Sequence, residues 1–174
     1  DLGKIDDFSE EELSELFHNI GLGALKYFIL KVDPKRKMLF NPEESIDFQG
    51  NTGPFIQYTH ARICSVLRRA ETEGVDYMNF PEVEISEVEK EVIVLLNGYA
   101  KAIKDAGKRY EPSAIANYIY DLAKGYNRFY NTTKIFGNTD GEEIQMFRLA
   151  LCASVAKVIK DGMDLLGINV PNRM

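Results

Sequence analysis

Apolar residues along this chain recur at three- and four-residue steps, and no convincing two-residue alternation replaces them anywhere. The pattern predicts helices and no sheet. Ser9-Glu10-Glu11-Glu12 reads as a capping box that opens a short helix over Leu13, Leu16 and Phe17 and ends near Gly21. Residues 24–32 form an apolar run that predicts another helix, stopped by Asp33-Pro34. Residues 33–51 contain two prolines, turn residues and the triplet Lys35-Arg36-Lys37, which predicts an ordered connector.

The first long helix is expected over about residues 53–73, with Thr52 as its cap, Gly53-Pro54 at its start and Gly74 as its stop. Residues 74–85 read as an acidic loop around Pro81. A second capping box, Ser86-Glu87-Val88-Glu89, opens a helix whose apolar stripe is Val88, Val92, Leu95, Leu96, Tyr99 and Ile103, ended by Gly107. Pro112 starts the next, with Ile115, Ile119, Leu122, Tyr126 and Phe129 or Tyr130 along one side. After a loop at 137–141, the last helix carries Ile144, Phe147, Leu151, Val155, Val158 or Ile159 and Leu165 or Leu166, with Gly167 as its stop. Four long amphipathic helices behind one or two short ones predict an all-α antiparallel helical bundle.

Length and composition fit that picture and narrow the function. A chain of 174 residues with 45% hydrophobic content suits one domain with a substantial core. No apolar run approaches the roughly 20 residues of a membrane span. Cys64 and Cys152 sit inside helical patterns without metal-type spacing, which predicts buried reduced thiols in a cytosolic protein. Net charge is −6, but residues 1–15 carry −6 and residues 71–91 carry −7, so the remainder is +7 and leaves room for a basic face.

No catalytic constellation stands out. His18 and His60 have no cysteine or paired carboxylate at ligand spacing, and phosphate-loop and dinucleotide glycine patterns are missing. His18 reads as a surface residue and His60 as lying on a helix flank. Glu82, Glu84, Glu87, Glu89 and Glu91 alternate through a loop and a helix start, where solvation and the helix dipole account for them.

The stretch SIDFQGNTGPFIQYTHAR, residues 45–62, couples a turn cluster to a helix that carries a tyrosine one turn before an arginine. That pair can stack on a base and hold a phosphate, although aromatics at helical spacing are more often core. Its wording carries more. Residues 24–63, ALKYFILKVDPKRKMLFNPEESIDFQGNTGPFIQYTHARI, closely resemble the segment of arginyl-tRNA synthetases that leads from the catalytic half into the anticodon-binding domain. YEPSAIANYIYDLAKGYNRFYN (110–131) and FRLALCASVAKVIKDGMDLLGI (147–168) resemble that family's later helices, and Val170-Pro171-Asn172-Arg173-Met174 resembles its carboxyl terminus.

The resemblance implies a noncatalytic anticodon-binding domain of a class I aminoacyl-tRNA synthetase over residues 52–174. Residues 1–51 would lead in from the catalytic domain. The expected partners are arginine tRNA, through its anticodon stem-loop, and that parent catalytic domain, with no DNA and no membrane; the expected location is the cytoplasm. ATP, with magnesium, would serve the parent enzyme; its nucleotide-binding motifs are not in this chain, so no cofactor, metal or catalytic residue is expected here. By motif, Phe55, Tyr58, Arg62 and Met174 are the implied RNA contacts. Many family members have tyrosine where Phe55 stands, so stacking survives there without a hydroxyl. The competing reading from a different class is a helical protein-interaction module.

Overall fold

A computed structural model describes residues 8–79, 82–137 and 141–174. Pro81 and the loop residues Asn138, Thr139 and Asp140 lie outside the described residues, as does the acidic stretch 1–7. Seven helices and no strand are found among the described residues: α1 Glu10–Leu30, α2 Pro42–Ser45, α3 Gly53–Thr72, α4 Glu87–Asn97, α5 Tyr99–Arg109, α6 Pro112–Thr132 and α7 Glu142–Leu165. The chain is all-α. Helix α6 is the hub, packed against α1, α3, α4, α5 and α7, while α3 lies mainly on α7 and α1. Tyr27, Ile56, Ile63, Ile119, Leu122, Tyr126, Phe129, Leu149, Ile159 and Met163 fill the core at full burial.

Both capping boxes form. Ser9 Oγ accepts from the Glu12 amide while Glu12 accepts from the Ser9 amide, and Ser86 with Glu89 repeats the arrangement. Where α3 begins, Thr52 Oγ1 accepts from the Phe55 amide and donates to the Asp47 carbonyl, fixing the entry from the connector. Gly74 and Gly167 terminate their helices with φ of +69° and +67°, a backbone region that costs glycine little.

Three helix boundaries differ from the sequence expectation. The two leading helices are one, because α1 runs without a break through Gly21 and Gly23. Gly23 serves packing rather than termination. A Cβ there would lie 2.5 Å from Gln57 Nε2, and one on Gly53 would lie 2.7 Å from the Gly23 carbonyl oxygen, so the two glycines let α1 and α3 cross in near-backbone contact. Conversely, the helix expected from Ser86 to Gly107 is split at Gly98. The Leu95 carbonyl at that break accepts from the Tyr118 hydroxyl at 2.5 Å and from the Gly98 amide at 3.0 Å, so its bonding is completed from α6. The second half passes through Gly107 and ends at Arg109, capped by Tyr110 at φ +55°, with Pro112 starting α6 two residues after the cap.

Glu89 also departs from its expected solvated place. It is 1% exposed, and Arg148 Nε of α7 donates to it at 2.6 Å while Arg148 Nη1 donates to the Lys134 carbonyl. Burial works to raise the Glu89 carboxyl, but the hydrogen bonds from Arg148 and Ser86 outweigh it and hold the group below the usual carboxylate range. Its stabilisation is therefore complete above about pH 4.5, the ordinary glutamate value, and is lost as pH falls through the lowered folded value. Removing one partner of such a buried pair strands the other. Glu89→Gln is expected to cost about 3–5 kcal/mol in urea unfolding at pH 7, and to lose most of that penalty when Arg148 is changed to Met in the same chain.

Candidate nucleic-acid interface

Helix α3 presents three different faces, and its sequence sets all of them. Ile56, Ile63, Val66 and Ala70 are buried toward the core. Tyr58, Arg62, Ser65 and Arg69, at steps of four, three and four, line a cleft of about 810 Å³. Gln57, His60, Cys64 and Arg68, at steps of three, four and four, meet the chain's final segment.

Of the four implied RNA contacts, the structure gathers three in one place. Tyr58, Arg62 and Met174 all line the cleft. Phe55 is not among its lining residues; it is half-buried, packed on the core, with its ring 5.5 Å from that of Tyr120. Phe55 and Tyr58 stand three residues apart on α3, yet the first packs on the core and the second lines the cleft.

Arg62 is held from several directions. Its guanidinium lies 4.9 Å from the Tyr58 ring centroid and 5.1 Å from that of Tyr130, and it donates to Asn127 Oδ1 at 2.7 Å. Asn127 in turn donates to Thr59 Oγ1 at 2.8 Å, so α3 and α6 jointly fix the arginine between two tyrosine faces. Sequence reasoning missed Tyr130 as a cleft residue. It had Tyr130 sharing a stripe with Tyr126, yet Tyr126 is fully buried while Tyr130 is 36% exposed.

The remaining lining sharpens the chemistry. Arg68, Arg69, Lys134 and Arg173 add basic groups, Phe8 and Phe136 add rings, and no aspartate or glutamate is among the described lining residues. Arg69 is partly compensated by Glu73 at 2.7 Å and lies 4.1 Å from the Phe136 ring centroid; Arg173 lies 4.4 Å from that of Phe8. Basic groups interleaved with aromatic faces offer stacking and phosphate contacts together. Among the described residues no group of three His, Cys, Asp or Glu side chains is placed to hold a metal ion. Both cysteines are free thiols; burial pushes Cys152 up to about 12 and raises half-buried Cys64 as well. The basic residues Lys101, Lys104, Lys108 and Arg109 lie on α5 and do not line this cleft.

The final segment has no regular secondary structure, and its carbonyls are satisfied by side chains. Lys26 Nζ donates to the Gly167 carbonyl at 2.6 Å, Gln57 Nε2 to Asn169 at 2.8 Å, His60 Nδ1 to Pro171 at 3.0 Å and Arg68 Nη1 to Asn172 at 2.9 Å. His60 is thus buried rather than flanking, at 3% exposure. Desolvation lowers its imidazole below the ordinary histidine value, against the opposing pull of the Pro171 carbonyl.

The sign follows from that lowering. Above about pH 6.5 His60 is neutral in folded and unfolded chains alike; below it the unfolded chain binds a proton first. The neutral-histidine contribution is therefore intact above pH 6.5 and is lost as pH falls toward the lowered folded value. His60→Asn, which keeps a donor but does not titrate, is expected to flatten that part of the stability–pH curve in urea titrations between pH 7 and pH 5.

Known proteins share this sequence and fold. Residues 56–174 match the DALR anticodon binding domain. The curated arginine–tRNA ligase of Parabacteroides distasonis is 54% identical over 179 residues, covering 100% of this chain and 29% of that protein. That of Flavobacterium psychrophilum is 52% identical over 174 residues, covering 100% of this chain and 28% of its own length. Thermus thermophilus arginyl-tRNA synthetase superposes with a TM-score of 0.83 at 30% identity, over 99% of this chain and 29% of that one. The chain thus spans under a third of the length of the relatives it matches. From the matched residues, the all-helical architecture and the cleft they build, the chain belongs to the family of DALR anticodon-binding domains.

Proposed function

We propose that this chain is the anticodon-recognition domain of an arginine–tRNA ligase, gripping the anticodon stem-loop of arginine tRNA and orienting the acceptor end toward a catalytic domain carried elsewhere in the same polypeptide. The observation that carries the reading is the cleft in which Tyr58, Arg62, Tyr130 and Met174 meet under a basic rim, with no aspartate or glutamate side chain among the described lining residues. Such a cleft suits RNA better than a protein-docking role, since unstacked bases need flat faces and their phosphates need cations. Tyr58 and Tyr130 would supply faces, Arg62 a guanidinium for a phosphate or base edge, and Met174 a soft apolar contact. Phe55 would act through packing beneath the surface. The middle cytosine shared by most arginine anticodons is the expected base to be read.

A second set of residues supports the parent architecture. Phe17, Leu22, Leu25 and Ile29 of α1 are exposed large apolar side chains, as are Met38, Leu39 and Phe40 of the connector, with Leu39 91% exposed. Helix α1 is thus apolar on the side facing α3 and on a side facing solvent, the composition of a helix covered from both directions. A catalytic domain packed there would cover it, with residues 1–51 as the lead-in and residues 52–174 as the recognition domain. ATP and magnesium would act in that other domain. A cytoplasmic setting fits the family and the two free thiols.

Tyr58→Ala or Arg62→Ala should weaken binding of arginine tRNA by about 1–3 kcal/mol each while circular dichroism stays helical. Phe55→Ala should instead lower thermal stability. Titrations across a salt series, against a tRNA altered at the middle anticodon base, separate base reading from phosphate grip; equal affinity for both tRNAs would sink the base-reading assignment. The 174-residue chain alone is expected to give no ATP–pyrophosphate exchange above background.

A further inference from the structure

The four side-chain contacts to the final segment do more than satisfy its backbone. Successive contacts advance along α3 as the segment advances: Gln57 meets residue 169, His60 meets 171 and Arg68 meets 172. The extended segment therefore runs alongside α3 in the same direction, and its next two residues, Arg173 and Met174, reach the cleft. Gln57 at 0% exposure and His60 at 3% are too buried to touch a ligand in that cleft. Gln57 also donates to the Asn19 carbonyl at 3.1 Å, which anchors the arrangement on α1.

We infer that His60, with Gln57 behind it, is a positioning residue for RNA binding: it latches the Pro171 carbonyl and thereby holds Arg173 and Met174 as one wall of the cleft. The inference rests on the proposed RNA-binding role of that cleft. The latch itself is a property of the chain and can be tested without RNA.

The logic is one of local opening. A single hydrogen bond of this kind contributes about 0.5–1.5 kcal/mol, so removing it should raise the fraction of undocked tail by about 2- to 12-fold. In the 174-residue chain, His60→Ala should speed release of Met174 and Arg173 by carboxypeptidase Y by that factor, measured by mass spectrometry under conditions where far-ultraviolet circular dichroism is unchanged. His60→Asn keeps a donor near the position of Nδ1 and should restore slow release. Equal release rates in wild type and His60→Ala would overturn the latch.

The RNA arm uses affinity for the arginine tRNA anticodon stem-loop in a double-mutant cycle. Four chains are compared: wild type, His60→Ala, a chain ending at Val170, and the shortened chain carrying His60→Ala. A latch acting only through the tail makes the fourth no weaker than the third. Independent losses that multiply would overturn the positioning role. Unchanged affinity in both single variants would do the same. Equal release rates in the protease assay refute this inference alone. A Tyr58→Ala, Arg62→Ala double variant that binds normally refutes the RNA reading of the cleft, and the positioning role with it.

Discussion

The chain's last residues have no helix or strand to take their carbonyl oxygens, and this single requirement organises the site. Backbone carbonyls packed against a protein surface need donors, and here the donors are side chains of α1 and α3. For α3 to supply three of them it must lie flat against α1, which the Gly23 and Gly53 contact permits. With that face committed, the turn-adjacent positions Tyr58, Arg62 and Arg69 are left pointing along the other flank, into the cleft. The core face is then fixed by geometry, since Ile56, Ile63, Val66 and Ala70 occupy what remains of the helix circumference. One helix therefore joins the core, the terminal segment and the cleft, and displacement of any one is felt by the other two.

A different device holds the other wall of the cleft. Arg148 and Glu89 join α7 to the start of α4 and to the segment after α6, all at a depth where an ion alone would be untenable. That pair frames the bundle at the end of α6, near Lys134, which also lines the cleft. The wall formed by the α6 end is thus tied to the core by charge, and the wall formed by the final segment is tied by neutral and charged donors to backbone.

Much of this was legible in the residue pattern, and the exceptions have physical reasons. The start of α3 could be read because Thr52, Gly53 and Pro54 act locally, within one turn. Both capping boxes could be read for the same reason. Gly21 reads as a stop although α1 runs through it, and the break at Gly98 leaves no local signal because the Tyr118 hydroxyl that completes the Leu95 carbonyl comes from α6. Glu89 looked solvated because Arg148 stands 59 residues away along the chain. The four carbonyl contacts left no mark on the tail's own sequence, since they read groups that every residue possesses. In the site, spacing brought Tyr58 and Arg62 together, whereas Tyr130 belongs to a helix whose orientation the pattern did not specify.

The sandwich around Arg62 has a consequence for the thermodynamics of recognition. A free arginine side chain gives up several rotatable bonds when it closes on an anion, a cost of about 0.5–1.5 kcal/mol for such a residue. Here Asn127 and the rings of Tyr58 and Tyr130 impose that loss when the domain folds. Whatever anion enters the cleft meets a guanidinium already aimed, so less order has to be created on association and small errors in ligand geometry are less readily absorbed. Rigidity at this one position trades tolerance for selectivity.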